Sequence, residues 1–155
     1  MVNTRPCPTP AIVGNKFVTT DGNPLDNPTH YRSIIGVLQY LTNTRPDISF
    51  IVNKLSQFLQ APTTDHWQGV KRIMHYLKGT KDMGLHIKYC ENLSLQGFSD
   101  TDYANSKDDR RSTTRYCVFL GDTLVSWSSK KHNVVSRSSA ESEYRALAPI
   151  ACELA

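Results

Sequence analysis

The sequence predicts a mixed α/β (α+β) protein in two parts: a small helical unit, then a three-stranded antiparallel sheet followed by one helix. Three observations carry this. Between residues 28 and 80 apolar side chains recur at the spacing of amphipathic helices. From Gly84 onward the period drops to two, which is the alternation of strands. After the strands, Ser138-Ser139-Ala140-Glu141 has the spacing of a capping box and starts a helix. With 155 residues, 39% of them hydrophobic, there is enough chain for one ordinary domain or two small ones.

Residues 1–27 are rich in Pro, Thr, Asn and Gly with little periodicity, and read as an extended tail or linker. Asn27 is a good N-cap and Pro28 suits the first helical position. Tyr31, Ile34, Ile35, Leu38 and Leu41 then give the first helix one apolar face. Pro46 and Asp47 open a second helix with Ile48, Ile51, Val52, Leu55 and Leu59 inward, and Ala61-Pro62 stops it. A third is expected over residues 64–78, with Trp67, Val70, Ile73, Met74 and Leu77 on one side and Gly79 as its terminator. These three helices make a unit over residues 28–80, and residues 84–155 make the second. There, residues 84–89 alternate as a strand, residues 90–92 turn, and residues 93–99 form the strand that delivers Asp100. Residues 116–120 and 124–128 are two more strands, joined by the hairpin signal Gly121-Asp122. In the closing helix Ser138 is the N-cap and Glu141 reaches back to it, which accounts for Glu141 structurally. Glu143 lies at the edge of an apolar face made by Tyr144, Leu147, Ala148 and Ala151, where its charge partly faces the sheet.

No apolar run is long enough to cross a membrane, and the N-terminus lacks a stretch of signal-peptide length. An intracellular protein, cytoplasmic or nuclear, not secreted and without a membrane partner, is therefore expected. Cys7, Cys90, Cys117 and Cys152 are scattered with no CxxC pair, which fits reduced thiols and speaks against zinc. The net charge of +4 is unevenly spread: residues 1–89 hold ten Lys or Arg against five Asp or Glu, and residues 90–155 hold eight against nine. Lys71, Arg72, Lys78 and Lys81 cluster around the third helix. A basic excess fits contact with nucleic acid, although solvated side chains on helix surfaces leave the same trace.

In Gly97-Phe98-Ser99-Asp100-Thr101-Asp102-Tyr103-Ala104 an apolar strand runs into two carboxylates one residue apart, so Asp100 and Asp102 leave on the same face. An ionised carboxylate at the end of a central strand is costly to bury without a cation or donors, and a metal would supply the cation. The competing reading is that the pair simply starts a turn, as Asp often does. Glu143, early in the closing helix, is the further acid that favours the metal.

Taken in order, that octapeptide, then Asp109-Arg110-Arg111-Ser112-Thr113, then Val125-Ser126-Trp127-Ser128-Ser129-Lys130-Lys131, then Ser138-Ser139-Ala140-Glu141-Ser142-Glu143-Tyr144-Arg145-Ala146-Leu147 resemble the ribonuclease H region of copia-type retrotransposon Pol polyproteins. Upstream, Tyr31-Arg32-Ser33 with Gly36-Val37-Leu38-Gln39-Tyr40-Leu41, Thr44-Arg45-Pro46-Asp47-Ile48, and Lys71-Arg72-Ile73 through Tyr76-Leu77-Lys78-Gly79-Thr80 resemble the segment that closes the reverse transcriptase of the same polyprotein. Several motifs in the right order make the resemblance specific.

The resemblance implies an incomplete ribonuclease H-like fold and a parent enzyme that uses two divalent metals to cleave the RNA strand of an RNA–DNA hybrid. Asp100 matches the first acid of the family's strand, and Glu143, by its Glu-Tyr-Arg-Ala-Leu context, an acid early in the first helix. Both are implied catalytic ligands of Mg²⁺, with Mn²⁺ as a substitute. Glu141 is the other candidate for the helix ligand, and Asp102 is read as a polar neighbour. Carboxylate oxygens are the hard ligands Mg²⁺ prefers, and two ions about 3.5–4 Å apart activate a water and stabilise a leaving oxygen. Lys71, Arg72, Lys78, Lys130 and Lys131 are expected to bind RNA–DNA hybrid or another duplex, blind to its sequence.

Departures from the family pattern bear on activity. The family's site takes two further carboxylates from a later strand and helix, and this chain reaches Ala155 before either. Arg115 stands where a glycine is expected. Pro149 falls inside the closing helix, at roughly 3 kcal/mol or a kink. These features predict a chain inactive alone, a relic of a transposon, with the remainder of the polyprotein as a further partner. Two readings stand beside a nuclease: a non-catalytic nucleic-acid-binding module, and a structural piece without independent function.

Overall fold

The computed structural model describes residues 4–12, 14 and 17–154. The chain divides into two compact units, Met1–Gly84 and Leu85–Ala155, at the point where the hydrophobic period changes.

In the first unit α1 spans Pro28–Leu41, a single 3-10 turn at Pro46–Ile48 leads into α2 at Ser49–Ser56, and α3 spans Thr64–Gly79. Asn27 caps α1, its side-chain oxygen accepting from the His30 N–H at 3.0 Å, and Pro28 occupies the first turn. Tyr31, Ile35 and Leu38 from α1, Ile48, Ile51, Val52 and Leu55 from the second segment, and Val70, Ile73 and Tyr76 from α3 close one core. The Tyr31 hydroxyl donates to the Leu55 carbonyl at 2.8 Å, and burial pushes its pKa up. His66, which the apolar pattern passed over, is fully buried, stacked on Phe58 at 3.9 Å, and accepts from the Thr63 N–H through Nδ1. The described part of the N-terminal stretch has almost no regular secondary structure, yet it lies along the helices. Ala11, Phe17 and Leu25 pack on the core, the Leu25 N–H donates to the Pro62 carbonyl, and the Thr64 N–H donates to the Asn23 carbonyl. Isolated apolar residues in an extended segment leave no periodic signal, so periodicity misses such packing.

In the second unit β1 (Leu95–Asp102), β2 (Thr113–Leu120) and β3 (Thr123–Lys131) form an antiparallel sheet in that order, followed by α4 (Ser139–Leu154). This mixed α/β architecture is consistent with a partial ribonuclease H-like fold. Gly121, at φ +56°, makes the tight β2–β3 turn. Residues 84–89 correct the expectation of a strand: they form none, and Ile87 and Tyr89 are 80% and 92% exposed. Alternation alone does not make a strand when neither set of side chains finds a face to bury. Among the described strands β2 is the middle one, so β1 lies at an edge rather than at the centre.

The closing helix brings two corrections. Tyr144, Leu147, Ala148 and Ala151, expected to face inward, are exposed, while Ser142, Ala146 and Ile150 are buried. The reason is close approach. Small side chains at 142 and 146 let the helix settle near the sheet, and Gly97 of β1 leaves room for Ile150; a Cβ at 97 would stand 2.6 Å from Ile150 Cδ1. Pro149 falls inside α4, as its position in the sequence implies, and the helix runs on to Leu154. Second, one bond of the cap differs. The cap forms nearly as the spacing predicts. The Glu141 N–H donates to Ser138 Oγ at 3.1 Å, but the Glu141 carboxylate accepts from the Arg137 N–H at 2.8 Å, one residue before the expected donor.

Candidate functional site

Side chains alternate along a strand, and that alternation decides which residues of β1 meet α4. Gly97 faces the helix, and from the neighbouring strands Tyr116 and Ser126 donate hydroxyl hydrogen bonds to the Glu153 carboxylate of α4, both at 3.1 Å. Tyr116 pairs with Ser99, and Asp100 pairs with Arg115 in an unbroken register. Asp100, Asp102 and Arg115 therefore share the face turned away from α4.

On that face the Arg115 guanidinium lies 3.7 Å from Asp100 Oδ2 and 3.3 Å from Asp102 Oδ2. Asp102 also accepts from the Asn105 amide. The two aspartates share a face, as the spacing requires. Glu143 does not join them. It is exposed on the first turns of α4, next to buried Ser142. Glu141 is engaged elsewhere: the Arg137 N–H and the Arg145 guanidinium, 2.9 Å away, hold its carboxyl below the usual range.

This arrangement does not fit a divalent metal. Among the described residues no group of three or more His, Cys, Asp or Glu side chains converges to hold an ion. The donor set on the β1 face is two carboxylates already facing a guanidinium, whereas Mg²⁺ demands near-octahedral oxygen coordination.

The five candidate nucleic-acid contacts fall in both units. On α3, Lys71 sits over the Trp67 ring at 5.8 Å, Arg72 donates to Thr9 Oγ1 at 2.8 Å, and Lys78 donates to the Thr4 carbonyl at 2.9 Å. In the second unit Lys130 is exposed, whereas Lys131 is tied to Asp109 at 2.9 Å and to Ser106 at 3.0 Å. Burial pushes the Asp109 carboxyl up, but hydrogen bonds from Ser106, Lys131 and the Arg111 N–H outweigh it and hold the group below its ordinary value. Lys130, Lys131, His132, Thr114, Tyr116 and Arg145 help line a cleft of about 730 Å³ between the sheet and α4. Burial and the nearby Arg145 charge lower the His132 pKa.

Two of the recognised motifs are frameworks, a role the spacing did not reveal. In the Asp109-to-Thr113 motif, Asp109 anchors the β1–β2 loop to β3, and fully buried Ser112 accepts from the Ala104 N–H. In the Thr44-to-Ile48 motif, Arg45 grips both Asp47 oxygens, at 3.0 and 2.7 Å, and donates to the Thr80 carbonyl and hydroxyl, both at 2.8 Å. The Tyr76 hydroxyl completes this clamp, donating to Asp47 at 2.7 Å.

No described helix is long and apolar enough to cross a membrane. No protein-family model matches the chain, and no solved structure matches it. Known proteins do. The retrovirus-related Pol polyprotein from transposon RE2 of Arabidopsis thaliana is 47% identical over 154 residues, which is 99% of this chain and 11% of the polyprotein. The corresponding polyprotein from transposon RE1 of the same plant is 48% identical over 154 residues, again 99% of this chain and 10% of the polyprotein. An uncharacterized mitochondrial protein of Arabidopsis thaliana is 46% identical over 155 residues, 99% of this chain and 64% of that protein. The chain thus spans about a tenth of the length of the two polyproteins. Along nearly its whole length the chain is similar to a segment of retrotransposon Pol polyproteins.

Proposed function

We propose that this chain corresponds to the part of a copia-type Pol polyprotein where the end of the reverse transcriptase meets the opening of the ribonuclease H region. The parent activity in this reading is Mg²⁺-dependent, or Mn²⁺-dependent, cleavage of the RNA strand in RNA–DNA hybrids. Asp100 and Glu143 stand at the positions that match carboxylates of that parent enzyme. The observation that supports the reading is the succession β1–β2–β3–α4, in which an aspartate pair closes β1 and an acidic first turn opens α4. Alone, the chain does not cleave, because two exposed carboxylates, one of them facing Arg115, cannot hold an ion in fixed geometry.

A second reading, a non-catalytic nucleic-acid-binding module, is favoured by the cleft carrying Lys130, Lys131 and Arg145. Both readings are tested with one labelled RNA–DNA hybrid. Incubated with Mg²⁺ or Mn²⁺, the purified chain and its Asp100→Asn variant should give equal, background-level signal; cleavage by the parent that the variant loses would make the chain an enzyme. Phosphate contacts release counterions, so duplex binding by the module should weaken steeply between about 50 and about 200 mM salt. Absent or salt-indifferent binding leaves the structural piece.

A further inference from the structure

The Asp100–Asp102 pair is neither buried nor bare: it carries its own cation. The register that sets Asp100 opposite Arg115 holds the guanidinium within 3.7 Å of one carboxylate and 3.3 Å of the other. Arg115 comes from β2, the middle strand, and its side chain is 39% exposed, less than the 73% of Asp100. The guanidinium is thus anchored in the sheet while the carboxylate it faces is open to solvent. Asp102 is further fixed by Asn105, so both oxygens that approach Arg115 belong to one local network. A planar guanidinium is always charged and suits carboxylates as a partner.

We propose that Arg115 is the resident cation of this face, and that it keeps divalent metal ions off Asp100 and Asp102. A dication bound to these oxygens would lie about 5 Å from the guanidinium. At water-like screening that repulsion weakens binding on the order of tenfold. The inference goes beyond the functional reading above, because it concerns cation choice at one sheet face and holds whether or not the chain ever meets a hybrid.

The test is an Mn²⁺ titration of the full chain, followed by the loss of the free-ion electron paramagnetic resonance signal. Arg115→Gln removes the charge and keeps most of the side chain, Arg115→Lys keeps the charge, and Arg115→Gln with Asp100→Asn removes the ligand as well. Arg115→Gln should bind Mn²⁺ on the order of tenfold more tightly than the parent. Arg115→Lys should stay near the parent, and the double variant should lose the gain. Equal binding by the parent and Arg115→Gln would overturn the proposal, and so would a gain that survives Asp100→Asn. If circular dichroism shows Arg115→Gln unfolded, Arg115→Gly is titrated in its place, with the same outcomes. The readout is metal uptake, so a negative cleavage assay does not bear on it.

Discussion

Replacing Asp47 with Asn tests whether the Thr44-to-Ile48 motif is a clamp within the first unit. The substitution keeps the shape and removes the charge. The Arg45 side chain is only 7% exposed and the Asp47 side chain 27%, so a nearly buried guanidinium would lose its counter-charge and Tyr76 its anionic acceptor. Removing one partner of a buried ion pair costs about 3–5 kcal/mol. Arg45 keeps its two bonds to Thr80, which argues for the lower end, about 3 kcal/mol. Against a total of about 5–15 kcal/mol for an ordinary domain, that leaves the unit marginal. Trp67 lies in α3 and Trp127 in β3, so urea unfolding in a Trp127→Phe background reports the first unit alone. With a slope of about 1–1.5 kcal/mol per molar urea, the midpoint should fall by about 2–3 M at pH 7. The pH dependence carries a sign. Burial pushes the Asp47 carboxyl up, but hydrogen bonds from Arg45 and Tyr76 outweigh it, and its pKa lies below the ordinary value. A depressed native pKa adds stability that is fully present above the unfolded value of about 3.9 and is lost as pH falls through the native value. Parent and variant should therefore converge in acid below about pH 4. A midpoint drop under about 0.5 M, or a gap unchanged by acid, would refute the clamp.

Two further predictions concern the contact of α4 with the sheet, read from Trp127 in a Trp67→Phe background. Gly97→Ala places a Cβ 2.6 Å from Ile150 Cδ1 and should destabilise the second unit by about 1–3 kcal/mol; an unchanged midpoint would show that α4 can shift freely. Pro149→Ala restores a backbone donor inside a continuous helix and should stabilise it by about 1–3 kcal/mol; a lower midpoint would mean that the proline shapes the helix to fit the sheet.

Local chemistry determined much of this protein. The helical faces built on Tyr31, Ile35, Ile51, Leu55, Val70 and Ile73, the Asn27 and Ser138 caps, and the Gly121 hairpin each depend on residues close in sequence, where spacing and backbone preference act directly. The shared face of Asp100 and Asp102 follows from strand geometry in the same way. Tertiary packing decided the rest. Which side of α4 turns inward was set by close approach at Ser142, Ala146 and Gly97, and the larger apolar residues that dominate a helical wheel were left outside. The partner of Asp100 was set by the β1–β2 register, which brings in Arg115 from 15 residues away in sequence. Glu143 stays exposed because the small side chains of Ser142 and Ala146, not the acid between them, are what the sheet accepts at close range, and no spacing within α4 records which side of a helix a sheet will take.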